Sequence, residues 1–100
     1  MCDSFIIKDL DWKNIAIKKM QLLTSYPNKN IGKYEIKNIS FNKIGDCLEW
    51  DLGNMNWIKF RMSGTEPKFK AYYNFYGKSL EELDSIYTEI NQELKKIIEQ

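Results

Sequence analysis

The sequence predicts an α+β fold in which a four-stranded antiparallel sheet carries two helices on one face. Three observations predict it. Apolar residues recur at helical spacing over residues 11–24, alternate with polar ones in short segments between 34 and 76, and return to one long helical stripe after 79. Short turns joining successive strands favour antiparallel pairing, and two amphipathic helices with one stripe each can bury them together against a single sheet face.

Residues 1–10 are short and mixed, and read as a tail or linker remnant preceding one domain over 11–100. The first helix carries Trp12, Ile15, Ala16, Met20, Leu22 and Leu23 inward, with Lys13, Lys18 and Lys19 toward solvent. Asp9 or Asp11 is placed to cap it, and Tyr26-Pro27-Asn28 ends it. Residues 28–33 form a loop. A first strand over 34–41 is anchored by Ile36 and Ile39, and a turn over 42–46 contains Gly45. Leu48, Trp50 and Leu52 alternate with Glu49 and Asp51 in the second strand, and Gly53-Asn54 reverses the chain.

The third strand, 56–62, sets Ile58 and Phe60 on one face and Trp57, Lys59 and Arg61 on the other. A fourth, 68–76, sets Phe69, Ala71, Tyr73 and Phe75 opposite Lys68, Lys70, Tyr72, Asn74 and Tyr76. Gly77-Lys78 breaks it. Ser79-Leu80-Glu81-Glu82 is a capping box, and Leu80, Leu83, Ile86, Tyr87, Ile90, Leu94, Ile97 and Ile98 make the stripe of the last helix. Trp12 and Trp50 are assigned to the core.

Composition narrows the function. One hundred residues with 43% hydrophobic and 29% charged side chains suit one globular domain, and a net charge of +1 provides no general field for nucleic acid or anionic membranes. With no histidine and two cysteines, Cys2 and Cys47, outside any CxxC spacing, no metal site is expected and both thiols read as free. The absence of a leader or long apolar run points to the cytoplasm.

The stretch from Arg61 to Lys70 stands apart because it combines anion-binding groups at a turn between two strands. Arg61 offers a planar fork of donors, Ser63 and Thr65 add hydroxyls, and Gly64 allows positive φ and exposed backbone N–H groups. Glu66 is expected to satisfy backbone donors or Arg61. Lys68 and Lys70 could extend the positive rim, although lysines facing outward on a strand are more often simply solvated or edge-protecting. The bland reading of this stretch is a hairpin connection made of good turn residues.

Arg61-Met62-Ser63-Gly64-Thr65-Glu66-Pro67-Lys68 resembles the Arg-x-Ser-Gly-Thr-Glu-Pro-Lys signature of the C-terminal domain of the α-D-phosphohexomutases, the phosphoglucomutase and phosphomannomutase family. Met62 replaces a proline common there. The resemblance covers the chain after its first ten residues. It implies the TATA-binding-protein-like fold of that domain, and phosphate binding by Arg61, Ser63, Gly64 and Thr65, with Lys70 at a position comparable to a contacting cation in some members. It further implies a parent enzyme that interconverts hexose 1-phosphate and hexose 6-phosphate, using Mg2+ and a glucose 1,6-bisphosphate type of activator, with three preceding domains as partners of this one. The chain lacks the family's Thr-Ala-Ser-His-Asn-Pro serine motif, Asp-Gly-Asp-Gly-Asp-Arg metal loop and Gly-Glu-Glu-Ser-Gly sugar loop. Alone it is therefore expected to bind no cofactor and to be inactive. Two alternatives are the same domain from a glucose-1,6-bisphosphate synthase, or a stand-alone module stacking single-stranded RNA on Trp57, Tyr72 and Tyr76.

Overall fold

The computed structural model describes residues 2–43 and 46–99, so Gly45 lies outside the described residues. The α+β prediction holds, with five strands in the main sheet rather than four. The elements are β1 (Cys2–Ile6), α1 (Trp12–Thr24), β2 (Asn30–Ile31), β3 (Tyr34–Glu35), β4 (Asn38–Asn42), β5 (Cys47–Gly53), β6 (Asn56–Met62), β7 (Lys68–Asn74) and α2 (Leu80–Ile98). The sheet order is β1-β7-β6-β5-β4, every pair antiparallel, and β2 and β3 form a separate small ribbon.

The extra strand corrects the reading of residues 1–10 as a tail. Cys2–Ile6 pairs along the outer edge of β7, with Phe5 opposite Phe69. Phe5 and Ile7 are buried, and the Asp3 carboxylate accepts a 2.7 Å hydrogen bond from Asn91 Nδ2 of α2. Without β1 the backbone of β7 would face solvent along a long flat edge. The single strand expected over 34–41 is also two pieces. Ile36 N–H turns away to the Lys29 carbonyl and Lys37 N–H to that of Asp51, which separates β3 from β4.

In the ribbon, Gly32 adopts φ +56°, and a Cβ there would stand 2.9 Å from Ile90 Cγ1. Its N–H donates to Glu93 Oε1, so this position needs glycine for both conformation and closeness to α2. The β5–β6 reversal also holds left-handed residues, Asn54 and Met55, and Asn74 Nδ2 donates to the Met55 carbonyl.

One face of the sheet is dry. Leu48, Trp50, Ile58, Phe60, Phe69, Ala71 and Tyr73 meet Ala16, Met20 and Leu23 of α1 and Ile86, Ile90, Leu94 and Ile98 of α2 in one cluster. Trp50 anchors it, packing edge-on to Phe60 at 4.8 Å, stacking on Tyr26 at 5.0 Å, and donating from Nε1 to the Leu23 carbonyl at 3.0 Å. Two residues assigned to apolar stripes depart from them: Leu80 projects into solvent in the first turn of α2, and Leu22 is partly exposed. The last strand ends at Asn74, two residues early, although Phe75 remains buried.

Neither Asp9 nor Asp11 caps α1 as expected. Asp11 is the N-cap residue but its side chain accepts from Asn14 Nδ2, and Asp9 Oδ1 accepts the Asp11 N–H. The cap of α2 is half of the expected box. Ser79 Oγ accepts the Glu82 N–H at 3.1 Å, whereas the Glu82 carboxylate takes the Lys78 N–H at 2.8 Å rather than that of Ser79. Ser79→Ala is expected to cost about 1 kcal/mol in a urea melt. The bond from Lys78 N–H, and then that from Lys33, hold the Glu82 carboxyl below its ordinary 4.5. Because the folded state binds this proton less tightly than the unfolded chain, the stabilisation is present in full above about pH 4.5 and fades as the pH falls through the folded-state value. Glu82→Gln should flatten that part of the stability profile.

Candidate functional site

The β6–β7 connection, residues 63–67, holds Ser63, Gly64 and Thr65 at one end of the sheet, with Arg61 and Lys70 in the strands that flank it. Strand register fixes its two sides. Arg61 leaves β6 on the outer face, away from the helices, directly opposite Lys70 of β7. Like charges placed across a ladder repel and cost stability. Neither has an ion-pair partner among the described residues. Lys68 differs: its Nζ lies 3.1 Å from Glu66 Oε2, so Glu66 neutralises Lys68 instead of serving Arg61 or backbone donors as expected.

The loop is braced from within. Ser63 N–H donates to the Lys68 carbonyl at 3.1 Å, closing the hairpin, and Lys68 N–H donates to the Glu66 carbonyl at 2.7 Å. On its β1 side, Ile7 N–H donates to the Pro67 carbonyl at 2.9 Å. Ser63 Oγ accepts the N–H groups of Thr65 and Glu66 at 3.4 and 3.2 Å. The backbone nest is thus filled by the protein's own hydroxyl, which leaves the Ser63 O–H hydrogen to donate outward. Among the described residues, neither the Gly64 N–H nor the Thr65 hydroxyl has a hydrogen-bond partner, and both residues are exposed.

Gly64 departs from its expected role. Its φ is not left-handed, and a Cβ added there would meet nothing within 4 Å. Nothing inside the described chain therefore demands glycine; what its missing side chain leaves open is the surface above it. Gly64→Ala is expected to leave the thermal midpoint within a degree or two, since the substitution introduces neither strain nor clash. A drop of many degrees would place the reason for glycine inside the fold.

Two concavities flank the loop and share it as a wall. On the outer face a polar notch of about 210 Å³ is bounded by Arg61, Ser63, Gly64, Lys70 and Tyr72. Toward the helix layer a hollow of about 380 Å³ is bounded by the same Arg61, Ser63 and Gly64 together with Trp12, Ile17 and Asp46. Trp12, assigned to the core from sequence, is only half-buried at the start of α1 and packs on the core's margin. Periodicity cannot separate a core tryptophan from one at the rim of a cavity, because both sit on the inward stripe.

The remaining outer face is mixed in charge. Lys59 pairs with Glu49 at 3.5 Å and lies 4.3 Å from the Trp57 ring centroid. Tyr76 lies beyond the end of β7, and its N–H is held by Asn56 Oδ1. Cys2 and Cys47 are free. Among the described residues no three His, Cys, Asp or Glu side chains gather as metal ligands, and no helix is long and apolar enough to cross a membrane.

Comparison with known proteins agrees with the loop. No family model matches the chain. It is 40% identical over 95 residues to a phosphomannomutase of Mycoplasmoides pirum, covering 95% of this chain and 18% of that protein. It is 38% identical over 68 residues to a phosphomannomutase of Mycoplasma pneumoniae, covering 68% and 12% of the two chains. With a probable phosphomannomutase of Haemophilus influenzae the identity is 32% over 65 residues, covering 65% and 13%. The chain thus spans less than a fifth of the length of these relatives. A signature loop at the end of an antiparallel α+β sheet, and identity extending over nearly the whole chain, lead to one assignment: it belongs to the α-D-phosphohexomutase family of mutases, as a C-terminal domain of that family.

Proposed function

We propose that this domain holds the phosphate group of a hexose phosphate for a phosphoglucomutase or phosphomannomutase, through Arg61, Ser63, Gly64 and Thr65, with Lys70 as an added contact. The opposition of Arg61 and Lys70 carries the reading. Two cations face each other across a ladder without a counter-ion among the described residues, and a phosphate between them turns a repulsion into two charge-assisted contacts. Arg61 supplies the bidentate fork, the Ser63 and Thr65 hydroxyls donate, and the Gly64 N–H approaches the anion unshielded.

The parent reaction is the reversible transfer of phosphate between C1 and C6 of the sugar. A loop that reads only phosphate suits it, because the same donors must hold the anion at either end of the hexose. Contacts to the non-reacting phosphate orient the substrate for chemistry performed elsewhere. Among the described residues no three His, Cys, Asp or Glu side chains gather that would hold Mg2+, and the contacts assigned to the phosphate are protein donors. Separate domains would supply the phosphoryl-carrying serine and the groups that distinguish glucose from mannose, and the isolated chain is inactive as a mutase.

The test is a backbone amide NMR titration of the chain with glucose 6-phosphate and, separately, glucose 1-phosphate. Shifts confined to residues 61–70 are expected with both, at an affinity on the order of millimolar. Shifts centred on Trp57 and away from the loop would defeat the reading.

A further inference from the structure

Trp12 is an aromatic residue beside the loop that takes no part in the phosphate contacts. It begins α1, half-buried, with Lys13 Nζ 5.5 Å from its ring centroid, and lines the helix-side hollow whose opposite wall is the loop itself. The two concavities meet across Ser63 and Gly64. Gly64 keeps that ridge low, since a Cβ there would project into open space.

Charge is distributed unevenly over the two sides. The outer notch has Arg61 and Lys70 and no carboxylate among its lining residues, whereas the helix-side hollow shares Arg61 and adds both Lys13 and the carboxylate of Asp46. A phosphate finds two cations unopposed by a carboxylate in the first, whereas in the second Asp46 stands among the cations. The hollow instead joins a carboxylate, which accepts hydrogen bonds from hydroxyl groups, to the flat apolar body of an indole. Small-molecule sites commonly combine an apolar wall with a few placed polar groups, and a pyranose ring presents both C–H faces and hydroxyl edges.

We propose that Trp12 is a substrate-positioning residue: a phosphorylated sugar straddles the Gly64 ridge, its phosphate on the Arg61–Lys70 side and its ring against Trp12, with Asp46 accepting from ring hydroxyls. This inference rests on the phosphate-binding reading and adds the place of the carbon skeleton. It also assigns Gly64 a second use, since a side chain at the ridge would lift the ring from the indole.

The three tryptophans give a direct readout, because each indole N–H has its own resonance and Trp12→Phe identifies the one in question. Inorganic phosphate is expected to shift the loop amides and leave the Trp12 indole in place, while glucose 6-phosphate shifts both along one binding curve. Trp12→Ala should weaken glucose 6-phosphate about fivefold and leave inorganic phosphate affinity unchanged, with Trp12→Phe recovering most of the loss. The loop's response to inorganic phosphate shows that the alanine variant is still folded. A Trp12 indole that stays silent while glucose 6-phosphate saturates the loop, or equal weakening of both ligands in Trp12→Ala, overturns the sugar platform alone. A loop silent to both ligands overturns the phosphate site and the platform with it.

Discussion

Arg61→Ala is expected to leave the chain folded and to remove nearly all of its response to phosphate. The side chain is exposed and makes no ion pair among the described residues, so its removal forfeits no such contact within them. It also relieves the repulsion with Lys70, a gain of up to about 1 kcal/mol for cross-strand like charges. Against a phosphate, the loss is that of a charged hydrogen-bond donor, about 1.5–3 kcal/mol, or roughly ten- to a hundredfold in affinity. Thermal melting and the amide titration, run on the same sample, separate the two effects. Arg61→Lys tests geometry against charge: an ammonium keeps the attraction but not the fork, and should recover only part of the affinity. A variant that unfolds would move Arg61 from the site to the scaffold, and one that binds glucose 6-phosphate as before would remove it from both.

The largest effect on stability is expected at Trp50. Truncating a fully buried tryptophan to alanine costs about 3–5 kcal/mol, a large share of the 5–15 kcal/mol that holds a typical domain together. Here the change also strips Tyr26 and Phe60 of a ring partner and leaves the Leu23 carbonyl, near the end of α1, without its donor. Urea denaturation of Trp50→Ala should show a population already partly unfolded in water. Trp50→Phe keeps most of the apolar contact but not the N–H, and should lose about 1–3 kcal/mol, the penalty of an unsatisfied buried acceptor. Equal stabilities for these two variants would mean that the bond to Leu23, not the ring, accounts for the whole contribution.

Legibility followed how local each signal was. β5 and β6 and the start of β7 were readable because alternation over seven residues states both the strand and its inward face, and α2 because its cap and its stripe lie in adjacent residues. β1 was not readable: five residues bearing one deeply buried side chain, Phe5, carry little pattern, and what holds them is the free edge of β7. The loop's donors were readable as residue types. Lys70 as Arg61's opposite needed the register, and Trp12 as the far wall of the hollow needed α1 placed over the sheet. Gly64 was expected to provide a left-handed turn, yet among the described residues the positive φ values fall at Gly32, Asp46, Gly53, Asn54 and Met55.

β1 and β7 come from opposite halves of the chain, whereas β4 to β7 follow one another through short reversals. Closing a small loop is entropically cheap, so the meander can assemble early, and β1 has no edge to join until β7 is in place. The order of assembly reverses on opening: an edge strand held by one neighbour is the first to detach, well below the free energy of global unfolding. Its departure breaks the Ile7–Pro67 bond on the back of the β6–β7 loop. Amide exchange should therefore find Phe5 and Ile7 opening together ahead of β5 and β6, making the loop's rigidity a property set by the slowest-arriving strand of the sheet.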